Sequence, residues 1–91
     1  MKEIVILPAA GCRRSQAVLA YLDEHQVAYR RIDLETEKGQ QLMAEYDLRS
    51  SPGILVNGVL VNPFEILEAP ACRIKEPVAR ELFGLDAGGE E

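Results

Sequence analysis

Cys12 is the residue of this chain best suited to covalent chemistry, and it is followed directly by Arg13, Arg14 and Ser15. A loop with proline and glycine precedes it and a helical pattern begins at it, so we expect the thiol at a helix N-terminus. Unpaired backbone N–H groups, the positive end of the helix dipole and the two guanidinium groups all favour a thiolate there. Such surroundings lower a cysteine pKa from about 8.5 to roughly 3.5–7.5, and the thiolate is the nucleophile of thiol–disulfide exchange. The alternative is a small buried residue at a helix start with no chemical role.

The first half of the chain alternates between strand and helix patterns around this cysteine. Ile4–Leu7 is a short apolar run rich in β-branched residues, which predicts a buried strand. The helix is predicted from Cys12 to about residue 26, and residues 27–34 have the pattern of a second strand. Thr36 is the predicted N-cap of a second helix, whose apolar face falls within residues 40–46. This order predicts a βαβα unit with two parallel strands.

A β-hairpin is the clearest signal in the second half. Two apolar triplets, residues 54–56 and Val59–Val61, flank the dipeptide formed by Asn57 and Gly58. Asparagine followed by glycine supplies the two positive φ angles that a type I′ turn requires. Asn62 then has the character of a helix N-cap, with proline at the first helical position.

The last third of the chain is predicted to be helical but interrupted. Pro70 and Pro77 divide it, so we expect one broken helix or two short ones, with Gly84 at the end. The complete order is βαβ-α-ββ-α, which predicts an α/β fold with a central mixed four-stranded sheet flanked by helices.

These motifs together resemble the thioredoxin superfamily, and most closely its small glutaredoxins. The resemblance rests on a Cys-x-x-Ser motif after the first strand and on residues 49–58 (RSSPGILVNG), with further likeness in residues 29–33 (YRRID). It covers residues 3–62, about two-thirds of the chain, and fades beyond them. It implies a thioredoxin-like fold.

The resemblance also implies roles for particular residues. Cys12 would be the nucleophile, and Ser15 would occupy the position of the resolving cysteine. The Ser51–Pro52 peptide bond would be cis, with its backbone against the sulfur and paired with an extended substrate. Arg49, three residues before the proline, falls where glutaredoxins often contact a carboxylate of glutathione. Its alternative role is that of a solvated cation at a helix end.

The function that follows is that of a monothiol glutaredoxin-like thiol–disulfide oxidoreductase. Its expected partners are protein disulfides or glutathionylated proteins, and it needs no resident cofactor, with glutathione as a candidate co-substrate. Arg13, Arg14 and Arg49 would form a basic patch suited to a carboxylate-bearing thiol or an acidic protein. One alternative is a non-catalytic binding module with the same fold, favoured by serine at position 15 and by the missing Gly-Gly motif after the hairpin. Another is an iron–sulfur carrier, in which Cys12 of two chains holds a cluster with glutathione.

Cys72 is the second thiol of the chain. It would have to lie with its Cα within about 7 Å of the Cα of Cys12 to act as a resolving cysteine. We expect it instead to be a core or surface residue near a helix start.

The composition bounds the class of protein. The 91 residues include 15 acidic and 10 basic side chains, and the net charge of -5 argues against nucleic acid as a partner. No apolar run approaches the roughly 20 residues of a membrane-spanning helix. We therefore expect one cytoplasmic domain over residues 1–86, followed by a flexible tail over residues 87–91.

Overall fold

The centre of the molecule is a four-stranded mixed sheet whose middle strands are apolar. The computed structural model describes residues 3–68 and 73–84, so Pro70, Cys72 and the predicted tail of residues 87–91 lie outside the described residues. The elements in chain order are β1 (Ile4–Leu7), α1 (Arg13–Glu24), β2 (Arg30–Arg31), α2 (Glu37–Glu45), β3 (Gly53–Val56), β4 (Val59–Val61), a 3-10 helix (Pro63–Glu65), β5 (Leu67–Glu68), β6 (Arg73–Ile74) and α3 (Glu76–Leu82).

The sheet has the strand order β2-β1-β3-β4, with β1 parallel to β2 and antiparallel to β3. In the central pair Ile6 lies opposite Ile54, and both are fully buried. Helix α1 contributes Val18 and Leu22 to the core that covers this sheet, at the spacing that places them on one helical face. The predicted α/β fold with a mixed four-stranded sheet is thus confirmed.

Strand β2 is much shorter than its predicted span of residues 27–34. The chain still follows β1, because the N–H groups of Ile32 and Leu34 donate to the carbonyls of Ile6 and Pro8 at 3.0 Å. Pro8 ends β1 and has no N–H to return a hydrogen bond, so the regular parallel ladder cannot extend beyond it. The prediction was therefore right about the position of the strand and wrong about its length.

The predicted hairpin is confirmed, with β3 and β4 paired around a tight turn. Asn57 and Gly58 have φ angles of 54° and 81°, the left-handed pair that this turn requires. Asn57 also accepts a hydrogen bond from the N–H of Glu3 through its side chain at 2.8 Å and donates its own N–H to the Glu3 carbonyl at 2.7 Å. The turn is thereby tied to the start of β1.

The last third differs from the expected broken helix. A 3-10 turn capped by Asn62 is followed by a two-stranded antiparallel pair, in which Leu67 lies opposite Ile74. Pro77 does not interrupt α3, because it lies in the first turn, where its missing N–H has no helical partner to lose. Ala79 and Phe83 of this region are buried against the core under α1. Within residues 3–68 and 73–84, the helices are all too short or too polar to cross a membrane.

Candidate active site

Cys12 is the N-cap residue of α1. Its backbone is extended, with φ −92° and ψ 120°, and its carbonyl accepts the first helical hydrogen bond from the N–H of Gln16 at 3.1 Å. Gly11 directly before it has φ +71°, a left-handed conformation that a side chain would disfavour. This turn places the partly buried thiol in front of the unpaired N–H groups of the first helical turn.

The surroundings of the sulfur favour its ionised form. Burial alone would raise the pKa of the Cys12 thiol, but hydrogen bonds from the hydroxyls of Ser15 and Ser51, and from the N–H groups of Ser15 and Arg14, together lower it to about 7. The Ser51 hydroxyl lies 3.2 Å from the sulfur. An ionised sulfur has no proton, so the hydroxyl must donate to it. At neutral pH about half of such thiols are thiolate.

Ser15 is a buried part of this arrangement. Its side chain is only 1% exposed, and its hydroxyl oxygen accepts a hydrogen bond from the N–H of Ala9 at 3.1 Å. The hydroxyl has one proton and can still donate it to the Cys12 sulfur. Ser15 therefore joins the loop after β1, the helix and the thiol.

The loop before β3 brings Ser51 to the sulfur and completes the site. The Ser51–Pro52 peptide bond is cis, and the Pro52 side chain is fully buried. The Ser51 carbonyl accepts a hydrogen bond from Nε of Arg14 at 2.8 Å. The guanidinium carbon of Arg14 in turn lies 5.2 Å from the centre of the Phe64 ring, within the range of a cation–π contact.

The three arginines of the predicted basic patch have different positions. Arg14 contacts Ser51 and Phe64, while Arg13 is exposed in the first turn of α1. Arg49 forms an ion pair with Asp47 at 3.0 Å, and both side chains are more than three-quarters exposed. The structure thus brings Cys12, Ser15 and Ser51 together with Arg14, and it gives Arg49 a partner of its own.

A groove of about 350 Å³ runs along the segment that leads to the cis peptide bond, and neither Cys12 nor Ser51 is among its lining residues. One wall is the segment that leads to the cis peptide bond and the other is the end of β4 with the following turn; the lining residues are Asp47, Leu48, Arg49, Ser50, Leu60, Val61, Asn62, Pro63 and Glu65. Its volume falls in the range of small-molecule sites. Among the described residues no cluster of histidine, cysteine and carboxylate side chains could hold a metal ion.

Phe64 is the residue of the site that the sequence reasoning missed. It is 38% exposed, an unusual position for a large aromatic side chain, although single exposed apolar residues occur on most proteins. Its N–H donates to the Asn62 side chain at 2.9 Å, and its carbonyl accepts from Nζ of Lys75 at 3.3 Å. An aromatic residue inside the turn capped by Asn62 was the available signal, but its partner Arg14 is distant in sequence.

A thiol at the N-terminus of the first helix, facing a cis-proline loop on a four-stranded mixed sheet, defines a protein of the thioredoxin fold. A point mutant of the thioredoxin-like protein BC3987 is similar, with a TM-score of 0.68 at 21% identity over 92% of this chain and 97% of that chain. Another crystal structure of the thioredoxin-like protein BC3987 matches with a TM-score of 0.57 and 24% identity, over 65% of this chain and 84% of that chain. At these identities the likeness concerns the fold alone.

A match to a protein-family model shows the family to which the chain belongs. The glutaredoxin family model matches residues 2–61, which is most of the chain. This protein belongs to the glutaredoxin family, a family of the thiol–disulfide oxidoreductase type. No curated protein matches the chain.

Proposed function

We propose that this chain is a monothiol thiol–disulfide oxidoreductase with Cys12 as its nucleophile. The observation that supports this most directly is the hydrogen bonding of Cys12. The hydroxyls of Ser15 and Ser51 bond to its sulfur and help to lower the pKa of the thiol to about 7. A thiol that is partly ionised at neutral pH is the reactive species of disulfide exchange. Position 15 carries an oxygen and not a second sulfur, so the mixed disulfide must be resolved from outside this motif.

The reaction consists of two exchanges that balance without an added oxidant. In the first, the Cys12 thiolate attacks one sulfur of a substrate disulfide; a new S–S bond to Cys12 forms, the substrate S–S bond breaks, and the released thiolate takes a proton from water. In the second, the thiolate of an external thiol attacks the substrate sulfur of the mixed disulfide. The Cys12 thiolate leaves, and the product is a disulfide between the external thiol and the substrate sulfur.

Protein disulfides or glutathionylated proteins are the proposed substrates, with glutathione as the candidate external thiol. The groove next to Ser50 supports this, because it opens beside the cis-proline loop and has the volume of a small-molecule site. Arg49 lines this groove, and its exposed ion pair with Asp47 contributes little stability, so the guanidinium is available to a carboxylate of the co-substrate.

Reduction of a glutathionylated model protein tests the proposal. The Cys72→Ser variant should release glutathione from that protein with multiple turnovers when glutathione is supplied. The additional replacement Cys12→Ser should abolish turnover and leave the far-UV circular dichroism unchanged. Retained turnover in that variant would contradict Cys12 as the nucleophile.

A trapping experiment separates catalysis from simple binding. The Cys72→Ser variant, mixed with the glutathionylated protein in the absence of free thiol, should form a disulfide-linked adduct at Cys12 that reducing agent dissociates. A folded protein that forms no such adduct would instead indicate a non-catalytic binding module.

A further inference from the structure

The hydroxyl of Ser51 can stabilise the Cys12 thiolate only if the loop that carries it is held at the right distance. Ser51 precedes β3 and Cys12 precedes α1, and they meet across 39 positions of sequence. The Ser51 carbonyl is tied to α1 by Nε of Arg14 at 2.8 Å. The same residue thus receives a hydrogen bond on its carbonyl and donates one from its hydroxyl to the sulfur.

The Arg14 side chain is also held by a contact with a third element, the 3-10 turn after β4. Its guanidinium carbon lies 5.2 Å from the centre of the Phe64 ring, in the 3-10 turn after β4. The ring is carried by a backbone segment that Asn62 and Lys75 hold by hydrogen bonds at 2.9 Å and 3.3 Å. A guanidinium stacked on an aromatic face loses rotational freedom, so its Nε keeps one direction.

We propose that Arg14 is a positioning residue, which uses its Nε–H to hold Ser51 against the Cys12 sulfur while Phe64 fixes its guanidinium. Arg14 does not need to touch the substrate for this role. Its side chain acts on the Cys12 thiolate through the neutral hydroxyl of Ser51. The inference rests on the proposed function, because it explains how one part of the thiolate stabilisation is maintained. The Arg14 side chain thereby differs in role from Arg13, which directly precedes it and is exposed.

Two replacements of Arg14 separate positioning from charge. In glutamine the amide nitrogen is the same number of bonds from Cα as Nε is in arginine, so Arg14→Gln can keep the hydrogen bond to Ser51 and lose the charge. Arg14→Met has similar length and loses both. Arg30→Met, in the exposed strand β2, is the control for removing a positive charge away from the site.

The measurement is the rate of alkylation by iodoacetamide as a function of pH, with every variant built on Cys72→Ser. We expect a midpoint at about 7 for that parent chain and for Arg30→Met, and a slightly higher one for Arg14→Gln, which can keep the hydrogen bond to Ser51 but has no guanidinium for Phe64 to hold. Arg14→Met should raise the pKa of Cys12 to roughly 8, because the hydroxyl that donates to the thiolate is no longer held. Ser51→Ala should raise it similarly, and adding Arg14→Met to Ser51→Ala should raise it no further, since residues that act through one contact are not additive.

Each outcome decides the inference. Equal rises in Arg14→Gln and Arg14→Met that add to the rise in Ser51→Ala would mean that the charge acts directly on the thiolate. An unchanged midpoint in Arg14→Met would mean that Ser51 does not need Arg14. Either result overturns the proposal and leaves the proposed function standing. A midpoint near 9 in the parent chain would overturn both. Should Arg14→Met lose its circular dichroism signal, Phe64→Leu decides instead, and it should raise the midpoint by a smaller amount; no rise in a folded Phe64→Leu variant would overturn the role of the ring.

Discussion

Replacement of Ser15 by alanine tests how a serine at the resolving position contributes to the site. The hydroxyl of Ser15 is buried, accepts the N–H of Ala9 at 3.1 Å and lowers the pKa of Cys12 against the effect of burial, which raises it. Alanine removes the oxygen without adding bulk. We expect the pKa of the thiol to rise from about 7 to roughly 8, since one donor to the thiolate is lost.

The same replacement should also lower the free energy of unfolding. The partly buried N–H of Ala9 then loses its acceptor; leaving a fully buried donor unpaired costs about 1–3 kcal/mol, and this range is the upper bound for the loss here. That is a large share of a total that is typically about 5–15 kcal/mol for a small domain. Ser51→Ala is the matched comparison, because it removes a donor to the sulfur and leaves the bond between Ala9 and Ser15 intact.

The rate of alkylation at different pH values gives a characteristic pattern. At pH 7 a rise in pKa from about 7 to about 8 reduces the thiolate fraction roughly five-fold, but the more basic thiolate is about three-fold more nucleophilic, so the rate falls about two-fold. Well above pH 9, where both thiols are fully ionised, the Ser15→Ala variant should react about three-fold faster than the parent chain. The two curves should therefore cross between these pH values.

Iodoacetamide alkylation on the Cys72→Ser background, followed by mass spectrometry, measures these rates, and urea unfolding at pH 7 measures the stability. Curves that differ by the same factor at every pH would show that Ser15 does not affect the ionisation of Cys12. An unchanged urea midpoint would show that the Ala9 N–H finds another partner, and each result refutes its own part of the reasoning.

Three further replacements test other parts of the structure. Ser15→Cys, built on the Cys72→Ser background, should form a disulfide with Cys12 on mild oxidation. Mass spectrometry would show this as the loss of two hydrogens, and two free thiols in the folded, oxidised variant would contradict it. The pKa of Cys12 in the folded chain is about 7, below the value of about 8.5 of an ordinary thiol, so the thiolate contributes stability above pH 8.5 that is lost as the pH falls through 7. Urea unfolding of the parent chain should accordingly gain stability between pH 7 and pH 9 relative to Cys12→Ala, and parallel pH profiles would exclude that contribution. Gly39→Ala should lower the free energy of unfolding by about 1–3 kcal/mol because its Cβ would overlap the carbonyl oxygen of Asp33, whereas the exposed Lys38→Ala should change it little.

The parts of the fold that could be predicted are those with local signals. The type I′ turn depends on Asn57 and Gly58 alone, and the helix start at Cys12 depends on the few residues around it. The end of strand β2 could not be placed from its own residues, because its regular pairing with β1 stops at Pro8, the residue that follows β1. Strands β5 and β6 have two residues each, too few for any alternation to be recognised.

In the candidate site, too, the features with local sequence signals could be predicted and those that depend on tertiary contacts could not. The Cys-x-x-Ser spacing pointed to Cys12 and Ser15, since both lie on one helical turn. The contact of Arg14 with Ser51 spans 37 residues and its contact with Phe64 joins α1 to the 3-10 turn, so neither has a signature in sequence spacing. Sequence reasoning grouped Arg13, Arg14 and Arg49 by charge. The contacts of Arg14 depend on tertiary position, whereas Arg49 pairs with Asp47, two residues earlier in the chain.

On the proposed mechanism, the hydroxyls of Ser15 and Ser51 also explain how turnover can proceed without a second cysteine in the motif. The second exchange releases Cys12 as the leaving group, and a thiol of lower pKa leaves faster. With a pKa of about 7, Cys12 leaves more readily than an ordinary thiol at about 8.5. An external thiol that attacks the substrate sulfur therefore expels Cys12 in preference to being expelled itself. Serine at position 15 removes the internal resolving thiol and, by stabilising the departing thiolate, favours resolution by a thiol from solution.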